Sequence, residues 1–277
     1  MIRLIASDLD GTILKYDHTI PEDNLKAIDN LQKNNIPFVV CTGKTYSVSK
    51  DICKNLHASY GIFGNGNQII NLETGEEIER RILSLDEIKT CFSVIQKYNL
   101  HVHAYTENSI ITQKLMYMDL RSSILFPNTI KFEIVDSVLD YIKKENPIIL
   151  KLVISSSSNL TKIKEELEKV TNLSIMHINK TGIYKDTIIN KEYEYLDISP
   201  FEVSKGSALN KLKTYLNLEK EDVLSIGDNI NDITMFESSG IGVAVNNAYD
   251  EVKKVAHFTT LNSAENGAFA EAVYKFL

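Results

Sequence analysis

Asp8 and Asp10 stand one residue apart at the end of a short apolar run, Ile2, Leu4, Ile5 and Ala6, and Gly11 follows them. Two carboxylates crowded at the mouth of a strand repel each other, and a hydrophobic core has no use for that arrangement. Far along the chain Asp228 follows another apolar run, with Asp232 shortly beyond it. Asp8, Asp10, Asp228 and Asp232 together would make a hard, oxygen-rich site that suits Mg²⁺ better than a soft metal. Thr42, Lys205 and the backbone amides around Gly11 and Gly43 would supply donors for a tetrahedral anion. A carboxylate cannot readily attack a phosphoryl group, because both are negative. A divalent cation between them and a lysine nearby remove that repulsion. These residue types suit phosphoryl transfer and are poorly matched to hydride or acyl transfer.

Periodicity gives the elements that must position them. Residues 2–7 read as a buried strand, 37–41 (PFVVC) as a second ending at Thr42-Gly43, 61–63 as a third, and 223–226 as a fourth ending at Gly227-Asp228. Helical patterns lie between. Thr19-Ile20-Pro21-Glu22 has capping-box spacing ahead of Leu25, Ile28 and Leu31, and Val48, Ile52 and Leu56 recur at helical intervals. Residues 204–216 put Leu209, Leu212 and Leu216 on one helical face, with Lys205 at its start. Strands at 241–245 and 257–259 follow, with helices around Val252 and over 264–276. Strands alternating with helices imply crossovers and a doubly wound, mostly parallel α/β sheet, whose ligands gather beyond the carboxyl ends of its strands. Asp8, Asp10, Thr42 and Asp228 share that address.

The middle reads differently. Ser84-Leu85-Asp86-Glu87 opens a helix continued by Ile88, Phe92, Ile95 and Tyr98. Short alternating strands, a long apolar run at 147–155, a helix through Leu160, Ile163, Leu167 and Val170, and strand-like sequence over 173–190 follow. This pattern predicts an α+β domain at 83–191, inserted into a core formed by 1–82 and 192–277. His101 and His103 fall on one strand face, where a packed or solvated face is favoured over a metal pair lacking a third ligand. Tyr184, Lys185 and Asp186 of the GIYKD stretch are explained as well by a hairpin turn as by a place in the active site.

The bulk properties narrow the classes. At 277 residues, 43% hydrophobic and 24% charged, the composition is that of a globular protein. A net charge of −7 with scattered Lys and Arg gives neither the footprint of a nucleic-acid binder nor the basic block of a membrane-surface binder. Cys41, Cys53 and Cys91 are odd in number and widely spaced, which predicts free thiols and a cytoplasmic setting. No apolar run reaches membrane-spanning length.

Four motifs in order, DLDGT at 8–12, CTGK at 41–44, KGSAL at 205–209 and GDNINDITM at 227–235, resemble those of the haloacid dehalogenase superfamily. Their order and spacing are most similar to its Cof-type phosphatases, which carry a large cap between the second and third motifs. GNGNQII (64–70) and GVAVNNAYDEVKKVA (242–256) support the likeness. The resemblance implies a Mg²⁺-dependent phosphatase of small phosphate monoesters, such as a sugar phosphate, nucleotide or phosphorylated cofactor, acting as a monomer or homodimer. It implies that Asp8 is the nucleophile and becomes an aspartyl-phosphate. Asp10 is then the general acid and base, holding at first a proton that its carboxylate neighbours favour. Thr42, Gly43, Lys205 and Asn231 would hold the phosphoryl oxygens. Asp8, Asp228 and the backbone carbonyl of Asp10 would bind Mg²⁺, while Asp232 orients Lys205 or a water on the metal. Many relatives read T-G-R at the second motif; Lys44 here gives a point charge in place of a bidentate fork. The cap of such proteins closes over the site and sets specificity. The alternatives are a phosphotransferase or mutase, distinguished by whether free phosphate is released without an acceptor, and a catalytically silent binding or regulatory protein, which the intact motif residues disfavour.

Overall fold

The computed structural model describes residues 2–115, 130–155, 160–180 and 193–277. Every residue of β1 (Leu4–Ser7) is buried, as a continuous apolar run covered on both sheet faces must be. β1 pairs in parallel with β2 (Phe38–Cys41) on one side and β12 (Val223–Gly227) on the other. Beyond β2 lies β3 (Tyr60–Phe63), again parallel; beyond β12 lie β13 (Ile241–Ala244) and β14 (Phe258–Thr259), also parallel. Two antiparallel strands that periodicity had not indicated, β4 (Gln68–Asn71) and β5 (Glu77–Arg80), finish the edge beside β3. The sheet order is β14-β13-β12-β1-β2-β3-β4-β5. Helices α1 (Glu22–Lys33), α2 (Tyr46–Asn55), α6 (Lys205–Leu216), α7 (Ile233–Glu237), α8 (Asp250–Val255) and α9 (Ala268–Phe276) belong to the same unit. Leu4, Ile5, Val39, Val40, Leu209, Ile226, Phe236 and Phe269 share its core. This is the α/β class that strand–helix alternation predicted, with an antiparallel edge added.

Local signals were met unevenly. Ser84 does cap the helix after it, in a reciprocal box with Glu87. Thr19 does not: α1 starts behind Pro21, and the Thr19 hydroxyl and amide are both held by Asp17 Oδ1, at 2.6 and 2.9 Å. A side chain engaged in its own turn is not available to cap the following helix.

The chain divides into two compact units, 2–80 with 203–277 and 81–202. The second unit extends past the expected boundary at 191 because β11 (Tyr193–Ser199) pairs with β10 (Ser174–Lys180) and β9 (Lys151–Ser155). Among the described residues its strands, with β6 (His101–Tyr105), β7 (Ser109–Thr112) and β8 (Lys131–Ile134), run β10-β11-β9-β6-β7-β8. Val102, Ala104, Leu152, Ile154, Leu196 and Ile198 line the apolar face. They share a core with α3 (Leu85–Lys97), α4 (Val138–Glu145) and α5 (Leu160–Val170). Strand alternation sends the intervening residues to the other face. There His101 Nε2 and His103 Nε2 lie 3.0 Å apart, and Lys151 Nζ donates to Asp197 Oδ2 at 2.5 Å. The GIYKD stretch lies outside the described residues. Among those described, no helix is long and apolar enough to cross a membrane, and Cys41, Cys53 and Cys91 are buried free thiols.

Candidate active site

Asp8 leaves β1 with its N–H donating to the Ile226 carbonyl of β12 at 3.0 Å, so the first and fourth motifs start side by side. The next residues turn sharply: the Leu9 carbonyl accepts from the amides of Thr12, Ile13 and Leu14. Gly11 makes that turn with φ +80, and a Cβ there would stand 2.7 Å from Asp228 Oδ2, so glycine is required on both counts. Thr12 Oγ1 donates to Asp228 Oδ1 at 2.9 Å. Asn247, in the supporting stretch 242–256, fixes the same turn by donating to the Gly11 carbonyl at 2.7 Å.

Lys205 opens α6 behind Ser204, which caps the helix reciprocally with Ser207. A cation at a helix N-terminus opposes the macrodipole, and this one is fully buried. Two carboxylates compensate it: Nζ donates to Asp8 Oδ1 and to Asp232 Oδ1, each at 2.6 Å. Gly206 makes the approach possible, since a Cβ there would fall 2.1 Å from the Thr234 carbonyl oxygen. Asp232 spends its other oxygen on the amides of Asp228 and Asn229, at 3.0 and 2.9 Å. The protein thus satisfies both oxygens of Asp232, while Asp8 and Asp228 each have one oxygen engaged by Lys205 and Thr12 respectively.

Asp8, Asp228 and Asp232 offer carboxylate oxygens within 4.8 Å of one another. Three carboxylates around one ammonium leave an excess of negative charge in a buried place, and the acidities reflect it. Burial pushes Asp8 up to about 6; Lys205 opposes the shift, while Asp232 and Asp10 add to it. Asp228 rises well above the ordinary carboxylate range, through burial first and then the charges of Asp8 and Asp232. Burial alone would pull the Lys205 ammonium down, but Asp232 and Asp8 outweigh it and hold it above the usual lysine range. Hard oxygen donors, crowded and under-compensated, fit a divalent cation such as Mg²⁺.

Asp10 stands apart from that group of three. Lys44 Nζ donates to both of its oxygens at 2.5 Å, and His18 Nδ1 lies 3.2 Å from Oδ1. Thr42 is buried after β2, with its amide donating to the Ile62 carbonyl at 2.8 Å. A Cβ at Gly43 would meet Asn65 Oδ1 at 3.0 Å. Asn65 Oδ1 also accepts from Asn231 Nδ2 at 2.9 Å, linking the second motif to the fourth, while Asn231 Oδ1 is buried with no hydrogen-bond partner. Motif reasoning had not singled out the contacts of Lys44, His18, Asn65 and Asn247. Two signals pointed that way: the Gly-Asn-Gly-Asn run, with Asn65 at φ +61, and the lysine in place of arginine.

The mostly parallel sheet, the three motifs at its strand ends and the lysine-bridged carboxylates define a class. The haloacid dehalogenase-like hydrolase family matches residues 5–273, and the chain belongs to it. It is a phosphoric monoester hydrolase, the class for which its curated relatives are named. The 5-amino-6-(5-phospho-D-ribitylamino)uracil phosphatase YcsE of Bacillus subtilis (strain 168) is 28% identical over 267 residues, spanning 96% of this chain and 92% of its own. Phosphatase YwpJ of the same organism is 24% identical over 291 residues, spanning 96% and 97%. Among solved structures, a haloacid dehalogenase-like hydrolase from B. subtilis superposes with a TM-score of 0.84 at 22% identity over all of both chains. Another, from Bacteroides thetaiotaomicron, gives 0.81 at 23% identity, again over both complete chains.

Proposed function

We propose that this phosphatase hydrolyses a small phosphate monoester in two steps, through a phosphoryl group carried on Asp8. The observation that carries the reading is Lys205, buried and held 2.6 Å from both Asp8 and Asp232. A cation so placed lowers the repulsion between an anionic nucleophile and an anionic phosphoryl group. In the first step an Asp8 oxygen forms a bond to phosphorus, the bond to the ester oxygen breaks, and Asp10 gives its proton to the departing alcohol. In the second, water attacks phosphorus and passes a proton to Asp10, the Asp8–phosphorus bond breaks, and inorganic phosphate leaves. Thr42 Oγ1, the Gly43 amide and Asn231 Nδ2, which also donates to Asn65 Oδ1 at 2.9 Å, are the donors this reading assigns to the phosphoryl oxygens. Asp8, Asp228 and the Asp10 carbonyl are the residues that would hold Mg²⁺, which supplies charge neutralisation of the phosphoryl oxygens when bound. Asp232 holds Lys205 in place.

The substrate class is a soluble sugar phosphate, nucleotide or phosphorylated cofactor. The relative named for 5-amino-6-(5-phospho-D-ribitylamino)uracil makes that compound the first to try. The unit 81–202 is the substrate-selecting cap in this reading. A panel of phosphorylated metabolites with Mg²⁺, ranked by kcat/KM, tests it. Asp8→Asn should fold and lose on the order of 10⁴-fold in kcat. EDTA should silence the wild type until Mg²⁺ is restored. Near-normal turnover by Asp8→Asn, or phosphate release that persists in EDTA, overturns the mechanism.

A further inference from the structure

Lys44 has no part in the steps above, yet it makes the shortest contacts to Asp10 described here. Its Nζ reaches both carboxylate oxygens at 2.5 Å, bridging from the turn after β2 to the turn after β1. Both ends start from fixed backbone. The Lys44 amide donates to Thr42 Oγ1 at 3.2 Å, and its carbonyl accepts from the Gly64 amide at 2.8 Å. Asp10 sits in the turn closed by the Leu9 carbonyl, with the Gly11 amide donating to the Leu14 carbonyl at 3.2 Å. His18 stands at a left-handed φ of 63, a conformation uncommon for a residue other than glycine, and brings Nδ1 to 3.2 Å from Asp10 Oδ1. Asp10 is therefore confined by side chains from two separate turns.

We propose that Lys44 is a positioning residue for Asp10, fixing the carboxylate so that it is already aimed when a phosphate ester arrives. The proposal rests on the reading of Asp10 as the group that exchanges protons with the alcohol and the water. Side-chain exposures of 22% for Lys44 and 37% for Asp10 make the pair a weak contributor to folding, since water screens partly exposed ion pairs. Its value lies in geometry. A proton-transfer group must be held within roughly 0.5 Å and 10–20° of its productive place, and prior immobilisation removes that cost from the reaction itself. A lysine that touches Asp10 and serves through it affects the chemical step and leaves substrate affinity alone.

The test measures steady-state and single-turnover hydrolysis of p-nitrophenyl phosphate with Mg²⁺ by the full chain. Wild type, Lys44→Met, Lys44→Arg, Asp10→Asn and the double variant Asp10→Asn/Lys44→Met are compared. Lys44→Met should lower kcat about 10- to 100-fold with KM changed less than about twofold, and Lys44→Arg should recover most of kcat. Once Asp10 is asparagine, adding Lys44→Met should cost nothing further, because the two act as one unit. A rise in KM at unchanged kcat makes Lys44 a substrate ligand and overturns the proposal. So does wild-type turnover by Lys44→Met, an arginine variant no better than the methionine one, or additive losses in the double variant. Lys44→Gln takes the place of Lys44→Met if the latter does not fold. Wild-type turnover by Asp10→Asn is a separate outcome, which removes the acid–base reading itself.

Discussion

In the proposed mechanism Asp8 must be buried, crowded by carboxylates and ready to attack, and these demands conflict in a way that pH exposes. Folding raises its carboxyl from an ordinary 3.8 to about 6. The native state therefore binds that proton more tightly than the unfolded chain does, which favours the native state in acid. The advantage fades as pH climbs through the interval between those two values. Asn at position 8 carries no such proton. Without divalent metal, the melting temperature of wild type relative to Asp8→Asn should fall as pH rises from about 4 to about 7. Mg²⁺ should restore the wild type selectively above that window. A difference that stays flat with pH, measured by thermal melts of the two proteins in parallel, would refute this account. At this scale the chain was legible where charge stood in an apolar setting. Asp8, Asp228 and the buried Lys205 are conspicuous because such residues have no place at strand ends and helix starts without a task. The contacts of Lys44 and Asn65 were not legible, because they depend on which turn lies opposite which, and only folding decides that.

At the scale of elements, most of the fold followed from period alone. β1, β2 and β12 are continuous apolar runs of the kind only a sheet covered on both faces needs, and α6 shows its leucines at helical spacing. β4 and β5 were missed because their segments are short and of mixed polarity, including Gln68, Asn71, Glu77 and Arg80, and β5 lies at the sheet edge, where no apolar run is needed. The Thr19 signal misled because its hydroxyl found a nearer partner in Asp17. The contact between α6 and the segment carrying Asp232 is the element-level feature on which the site rests. Gly206 lets the helix start lie against the Thr234 carbonyl, and its amide donates to Thr234 Oγ1 at 3.1 Å. Gly206→Ala should push the helix start outward, destabilising the protein by about 1–3 kcal/mol and lowering kcat by loosening Lys205 from Asp8. Denaturant titration and steady-state kinetics check the two effects; a variant unchanged in both would show that the approach is not tight.

At the scale of the whole molecule, two units carry separate hydrophobic cores. Calorimetry should resolve more than one unfolding transition, and Mg²⁺ should raise the one belonging to the unit that contains Asp8 and Asp228. A single transition with equal calorimetric and van't Hoff enthalpies would overturn that expectation. The insertion was legible from the change in pattern after residue 83, but its return was not. The sequence reading assigns no strand to 193–199 and gives 192 onward to the core; the pairing of Tyr193–Ser199 with β9 and β10 places it in the second unit's sheet. The division also has a consequence for biosynthesis. β1 and β12 are neighbours in the sheet, yet Asp8 and its lysine are separated by 197 positions in sequence. At a synthesis rate of about 5–20 residues per second, roughly 10–40 s pass between the making of Asp8 and the making of Lys205. A growing chain thus presents the ribosome and its surroundings with an acidic half-site that cannot yet act. In the mechanism proposed above, the site is complete only once Lys205, Asp228 and Asp232 have also been made.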